Sequence, residues 1–222
     1  MKTTQSENFP EVIFISGIDT NIGKTYATAL LQRRLEAEGR RVITQKFIQT
    51  GNEGSSEDIE CHRRLLERGL TPADEAGLTA PIIFTYPASP HLAARLDRRT
   101  IDLSLVDEAT QRLGEEYGYD TVLLEGAGGL MVPITEEYLT IDYIADRGYP
   151  LALVTSGRLG SINHTLLSLE ACRSRGIELR YLVYNRYPVL DPLIEEDTLD
   201  FLRGYVSRSG STAELVLLEP WD

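Results

Sequence analysis

Cysteine is scarce in this chain. Cys61 and Cys172 are its two cysteines among 222 residues, and neither stands at metal-ligand spacing. A disulfide framework and a zinc-finger site are therefore excluded. Positive charge is also in deficit: 22 Lys and Arg against 34 Asp and Glu leave a net charge of −12. Broad electrostatic binding to nucleic acid or anionic lipid is not expected, although a local phosphate site stays open. No apolar run reaches the roughly 18 residues that span a bilayer. The opening MKTTQSENFP lacks the apolar stretch of a signal peptide, so the expected location is the cytoplasm. There is no G-x-S-x-G elbow for a hydrolase triad, and His62, His91 and His164 share no metal-binding spacing. What is present is the composition of a globular protein, 42% hydrophobic and 25% charged, with no linker or repeat to divide it. One domain covering residues 1–222 is expected.

The periodicity alternates along the chain. Glu11–Ser16, Arg41–Phe47, Asp120–Glu125, Pro150–Thr155, Leu179–Asn185 and Leu215–Leu218 read as strands, most of them continuously apolar. Between them, helical patterns start at Gly23 and cover Asp58–Arg68, Leu103–Tyr117, Leu139–Arg147, Ser161–Arg175 and Pro192–Val206. Thr50–Ser56 reads as a loop. Pro72, Pro81, Pro87 and Pro90 forbid a long helix over Thr71–Pro90, where Ile82–Tyr86 reads as a short strand. Continuously apolar strands alternating with helices predict a three-layer α/β/α fold with a mainly parallel sheet. Ligands on such a sheet bind beyond the carboxyl ends of the strands, so the loops after Ser16, Phe47, Glu125, Thr155 and Asn185 carry the interest.

The first of these loops, GIDTNIGKT at Gly17–Thr25, has the strand–glycine-rich turn–helix context of a P-loop, with Ile18 where the usual pattern has its first glycine. Backbone N–H groups there converge on an anion, Lys24 can reach outer phosphates, and the Thr25 hydroxyl can bind Mg²⁺. Lys46 ends the second strand on the same rim and can neutralise a developing anion, with Thr50 and Gly51 close behind it for a small substrate. Glu125 ends an apolar strand before GAGG, well placed to hold Mg²⁺ directly or through water. Asp58 lies among Glu53, Glu57 and Glu60, and spacing alone favours a solvated helix face for it. In RLGSINH, Gly160 and Ser161 open a helix, either as a carboxylate-binding N-terminus or as an ordinary Ser cap. Asn185 is either an adenine-reading amide or a turn residue.

In order and spacing, GIDTNIGKT, QKFIQTG, SPH at Ser89–His91, LLEGAGGLMVP and RLGSINHTLL resemble the dethiobiotin synthase family of ATP-dependent ligases, over nearly the whole chain. More distantly the chain is similar to ParA/MinD-like P-loop ATPases, which makes a regulatory ATPase switch the alternative. The family resemblance implies a P-loop NTPase-type fold, Mg²⁺, ATP as co-substrate, and a homodimer with neither nucleic-acid nor membrane partner. The implied reaction joins CO2 or bicarbonate to 7,8-diaminononanoate and closes a ureido ring through a carbamic–phosphoric anhydride. It implies Thr25, Asp58 and Glu125 as Mg²⁺ positions, which raises Asp58 above its standing from spacing, and Lys46 with Lys24 as catalytic lysines. Asn21, Ile22, Gly23, Lys24, Thr25 and Tyr26, with Asp58, Glu125, Gly126, Ala127 and Gly128, would line the nucleotide. Asn185, Glu219, Pro220 and Trp221 would face adenine. Thr20 and Thr50 would contact the substrate. Arg186 departs from the family, which often has an acid there.

Overall fold

A computed structural model describes residues 9–188 and 191–221. In chain order the elements are β1 (Glu11–Gly17), α1 (Lys24–Ala37), β2 (Val42–Lys46), β3 (Gln49–Thr50), α2 (Glu57–Leu65), α3 (Pro72–Glu75), β4 (Ile83–Phe84), α4 (Pro90–Leu96), α5 (Ser104–Glu115), β5 (Thr121–Gly129), α6 (Thr140–Arg147), β6 (Leu151–Ser156), α7 (Ser161–Ser174), β7 (Leu179–Asn185), α8 (Pro192–Arg208) and β8 (Glu214–Leu218). Six strands form one parallel sheet in the order β2-β5-β1-β6-β7-β8. β3 and β4 pair separately, also in parallel.

Alternate residues of each strand feed two cores, one on each face of the sheet. Ile13, Ile15, Leu123 and Val154 pack with Ala27, Leu31 and Leu35 of α1. Phe14, Leu124, Leu153 and Leu182 pack with residues of α5, α6 and α8, among them Val106, Leu113, Tyr143 and Leu202. Burial on both faces is why these strands lack a polar alternation. The three-layer α/β/α architecture expected from the sequence is the one observed.

The differences are local. β5 continues through the EGAGG segment to Gly129 rather than ending at Glu125, because its glycines still pair with β1, with Gly17 opposite Gly129 after an irregularity. A Cβ at Gly126 would stand 2.8 Å from the Phe14 ring, so only a glycine lets the strand run on there. Thr50 is not a loop residue but the end of β3, opposite Phe84. The proline-rich stretch holds two short helices, α3 and α4, each beginning on a proline whose missing N–H would have had no helical partner. α2 stops at Leu65, one turn short of the expected Arg68.

α2 and α3 are pinned to one another by a buried ion pair. The Arg63 guanidinium donates to both Asp74 oxygens at 2.8 and 2.9 Å, and Thr79 Oγ1 donates to Asp74 at 2.6 Å. Burial alone would raise the Asp74 carboxyl, but the hydrogen bonds and charge of Arg63 outweigh it and hold the group at about 2. A depressed carboxylate stabilises the fold fully above its unfolded value and less as pH falls toward the folded one. Asp74→Asn is therefore expected to cost about 3 kcal/mol of unfolding free energy at neutral pH, since it strands a buried guanidinium. Urea unfolding should show the gap between variant and wild type closing as pH falls from about 4 toward about 2.

Candidate active site

The sheet order sets the site. β1 lies between β5 and β6, and β5 separates it from β2, so the loops after β1, β2 and β5 open on one rim. Register brings the chemistry level: Lys46 is opposite Glu125, and Ile15 is opposite Glu125 on the other side. α1 starts at Lys24 behind Gly23, whose φ of 99° is left-handed, and no side chain caps the helix. Its first-turn N–H groups are therefore left for a ligand, with the positive end of the helix behind them. A Cβ at Gly23 would meet Asn185 Nδ2 at 2.5 Å, a second reason for glycine at this turn.

At the centre, Lys46 Nζ lies 2.5 Å from Asp58 Oδ2 and 2.9 Å from Glu125 Oε1, and donates to the Gly126 carbonyl at 3.2 Å. Thr25 Oγ1 is 3.3 Å from Asp58 Oδ1 and 3.4 Å from Glu125 Oε1. Asp58 is delivered by the first turn of α2, where the Ser56 hydroxyl accepts from the Ile59 N–H. The solvated-face reading of Asp58 thus does not hold: its neighbour Glu57 is exposed, but Asp58 turns inward to Lys46. Burial pushes the Lys46 amine down, yet the Glu125 and Asp58 carboxylates prevail and hold it above its usual value. Burial would raise Glu125, but Lys46 and His62 keep it well below the ordinary carboxylate range. Lys24 is lowered, first by burial and also by the Lys46 charge, against the pull of Glu125. The site thus sets the side chains of two lysines and two acids close together beside the P-loop turn.

A cleft of about 760 Å³ opens over this cluster, large enough for a nucleotide and a small second substrate. Thr20, Asn21, Gly23, Lys24, Thr25, Tyr26, Lys46, Thr50, Asp58, Glu125, Ala127 and Gly128 all line it. Ile22 and Gly126 do not. Ile22 is buried under the turn, and Gly126 contributes its carbonyl to Lys46. Asn185, Glu219, Pro220 and Trp221 lie off the cleft wall. The Asn185 amide donates to the Ile22 carbonyl at 2.9 Å and its oxygen accepts from the Tyr187 N–H, so it braces the P-loop from behind. Glu219 pairs with Arg186 at 3.2 Å. Trp221 packs edge-on to Tyr26 and under Arg33, which brings the C-terminal aromatic next to a cleft residue. In RLGSINH, Gly160 caps α7 without a side-chain bond, while the Ser161 hydroxyl pairs with Ser156 rather than capping. Arg158 bridges to Asp19 of the P-loop turn at 2.8 Å.

Sequence reasoning missed Ile48, Gln49, Pro87, Ala88, Ser89, Pro90 and Val132 as cleft residues. The motifs QKFIQTG, SPH and LLEGAGGLMVP contain Ile48, Gln49, Ser89, Pro90 and Val132, but nothing in them singles these residues out. His62 has no metal spacing to single it out, yet its Nε2 lies 2.8 Å from Glu125 Oε2 with both side chains buried. The available signal is its position four residues after Asp58, on the same face of one helix.

Residues 11–209 match the AAA domain family model AAA_26. An ATP-dependent dethiobiotin synthetase BioD 2 of Pasteurella multocida is 50% identical over 198 residues, covering 89% of this chain and 92% of that protein. The chain belongs to the ATP-dependent dethiobiotin synthetase family. Another synthetase of that name, from Haemophilus influenzae, is 54% identical across 83% of this chain and 95% of its own length. The dethiobiotin synthetase BioD of Chlorobaculum tepidum is 53% identical across 90% and 83%. Among solved structures, pNOB8 ParA bound to nonspecific DNA is similar at a TM-score of 0.54 and 16% identity, covering 96% of this chain and 86% of that one. At that identity the likeness shows the fold alone, so the dethiobiotin synthetases share this chain's sequence and ParA shares its P-loop architecture.

Proposed function

We propose that this chain is an ATP-dependent dethiobiotin synthetase acting on 7,8-diaminononanoate, CO2 or bicarbonate, and ATP. The observation that carries the reading is the convergence of Lys24, Lys46 and the uncapped α1 N-terminus on one cleft, beside the side chains of Asp58 and Glu125. One substrate amine takes up CO2 and loses a proton, giving a carbamate. A carbamate oxygen attacks the γ-phosphorus and ADP leaves, forming a carbamic–phosphoric anhydride. The second amine then attacks the carbamoyl carbon, phosphate departs, and the ureido ring is closed. No protein nucleophile is required, because phosphoryl transfer rests on positioning and charge neutralisation. The P-loop N–H groups and Lys24 hold the phosphates. Lys46 offsets negative charge as it moves onto the leaving oxygen. Thr20 and Thr50 contact the diamine, and Tyr26 with Trp221 borders the base.

Thr25, Asp58 and Glu125 would hold Mg²⁺. A hydroxyl with a carboxylate oxygen of Asp58 at 3.3 Å and one of Glu125 at 3.4 Å offers hard oxygen donors suited to that ion. Among the described residues no three His, Cys, Asp or Glu side chains form a site of their own, which accords with a metal that completes its shell with phosphate and water. When bound, Mg²⁺ would supply charge neutralisation for the phosphates of ATP. Asp58→Asn is expected to raise the Mg²⁺ needed for half-maximal turnover about tenfold, whereas exposed Glu57→Gln should change it by less than about twofold. Equal shifts in the two titrations would count against the metal assignment.

The chain works as one cytoplasmic domain and as a homodimer, with neither nucleic acid nor membrane as a partner. The net charge of −12 supports the reading against broad binding to nucleic acid or anionic lipid. Met131 and Leu167, 55% and 63% exposed, line a groove beside the start of the P-loop that a second copy would cover. Mass spectrometry of a mixture of diaminononanoate, bicarbonate, Mg²⁺, ATP and enzyme should show dethiobiotin, with one ADP and one phosphate for each product. ADP release that ignores the diamine would overturn the reading.

A further inference from the structure

We propose that His62 is a positioning residue, which holds one oxygen of Glu125 so that the other faces the nucleotide cleft. The inference rests on the Mg²⁺–ATP reading of the site.

The two Glu125 oxygens have different neighbours. Oε1 meets Lys46 Nζ at 2.9 Å and Thr25 Oγ1 at 3.4 Å, on the cleft side. Oε2 points inward to His62 Nε2 at 2.8 Å and Thr28 Oγ1 at 3.0 Å. An ionised carboxylate only accepts, so His62 Nε2 carries a proton and donates it. Thr28 is the weaker partner: its single hydroxyl proton also faces the Lys24 carbonyl, at the shorter distance of 2.8 Å. Among the described residues His62 is therefore the dedicated donor to Oε2.

His62 itself is 0% exposed, and its Nδ1 has no hydrogen-bond partner among the described residues. A ring kept only for packing would not bury an unpartnered nitrogen when an aliphatic side chain fills the same space without that cost. Among the described residues the ring's one hydrogen bond is the one to Glu125. Asp58 and His62, one turn apart on α2, reach Lys46 and Glu125 respectively, so a single rigid helix orients both acids. Partners of this kind, one bond behind a metal ligand, are worth about 10- to 100-fold in metal affinity or activity.

The test compares His62→Leu, which keeps the bulk and removes the donor, with His62→Gln, whose amide N–H extends toward the same oxygen. Electron paramagnetic resonance titration of Mn²⁺ onto the enzyme–ADP complex should show binding weakened about tenfold in His62→Leu and largely restored in His62→Gln. Calorimetry of metal-free ADP should give affinities within about twofold for all three proteins. In turnover, kcat should fall in His62→Leu while the KM for diaminononanoate stays put. Should His62→Leu fail to fold, His62→Asn takes its place: the shorter amide does not reach Oε2 and should bind Mn²⁺–ADP as weakly. Mn²⁺ affinity equal to wild type in the donor-less variant, or no recovery with glutamine, would overturn the proposal. Absence of dethiobiotin from the wild-type reaction would instead overturn the enzymatic reading, and the Mn²⁺ comparison would still judge His62.

Discussion

Lys46→Ala is expected to lower the kcat for diamine-dependent ADP release by about 10²- to 10³-fold, the usual consequence of removing a preorganised donor from the charge that develops in the transition state. The expectation follows from placement. Lys46 is 5% exposed, ends a strand whose register sets it opposite Glu125, and touches two carboxylates and a carbonyl. Its ammonium is therefore held still before any substrate arrives, so no reorganisation is needed when the phosphoryl group moves. ATP binding should suffer much less, because the P-loop turn and Lys24 remain. Steady-state kinetics separates the two. A fall in kcat with a nearly unchanged KM for ATP is the expected result, and turnover within about threefold of wild type would remove Lys46 from the phosphoryl-transfer step.

Glu125→Gln should be nearly as damaging, for a different reason. Both carboxylate oxygens accept, one from Lys46 and the other from His62. An amide has one accepting oxygen and one donating nitrogen, so its nitrogen faces either the Lys46 ammonium, donor against donor, or His62, whose ring must then switch tautomer to accept. The buried Lys46 also loses the first of the charges that offset its burial and keeps only Asp58, whose side chain is 27% exposed. Stranding a buried charge costs about 3–5 kcal/mol, so the urea midpoint should drop. Turnover should fall by about 10²-fold as the metal position is also lost. Wild-type stability and turnover in the isosteric Glu125→Gln variant would mean that the network around Glu125 carries neither role.

The P-loop is legible in the sequence because its residues are contiguous and its physics is local. A strand, a glycine-containing turn and a helix start suffice to present N–H groups to a phosphate. Lys46 and Glu125 are legible as strand-end charges, since on a parallel sheet the carboxyl ends share a rim. Asp58 is not legible from its own neighbourhood. An acidic run at a helix start usually faces water, and what turns Asp58 inward is the docking of α2 against β2, which no local pattern records. His62 is hidden for the same reason. One histidine has no signature until a carboxylate from another part of the chain stands beside it. For Asn185, the hydrogen bond to the Ile22 carbonyl of the P-loop is a contact that its strand-end position does not record.

The amino-acid order by itself therefore determined the layers, the parallel sense of the sheet and the phosphate-binding turn, because periodicity and helix-start chemistry act over a few residues. Tertiary structure alone decided which acid meets which base. The packing of α2 over the β2–β5 edge brings together Lys46, Asp58, His62 and Glu125, spaced as widely as 79 positions along the chain. Their charges count only at the few ångströms over which a buried ion pair or hydrogen bond can act.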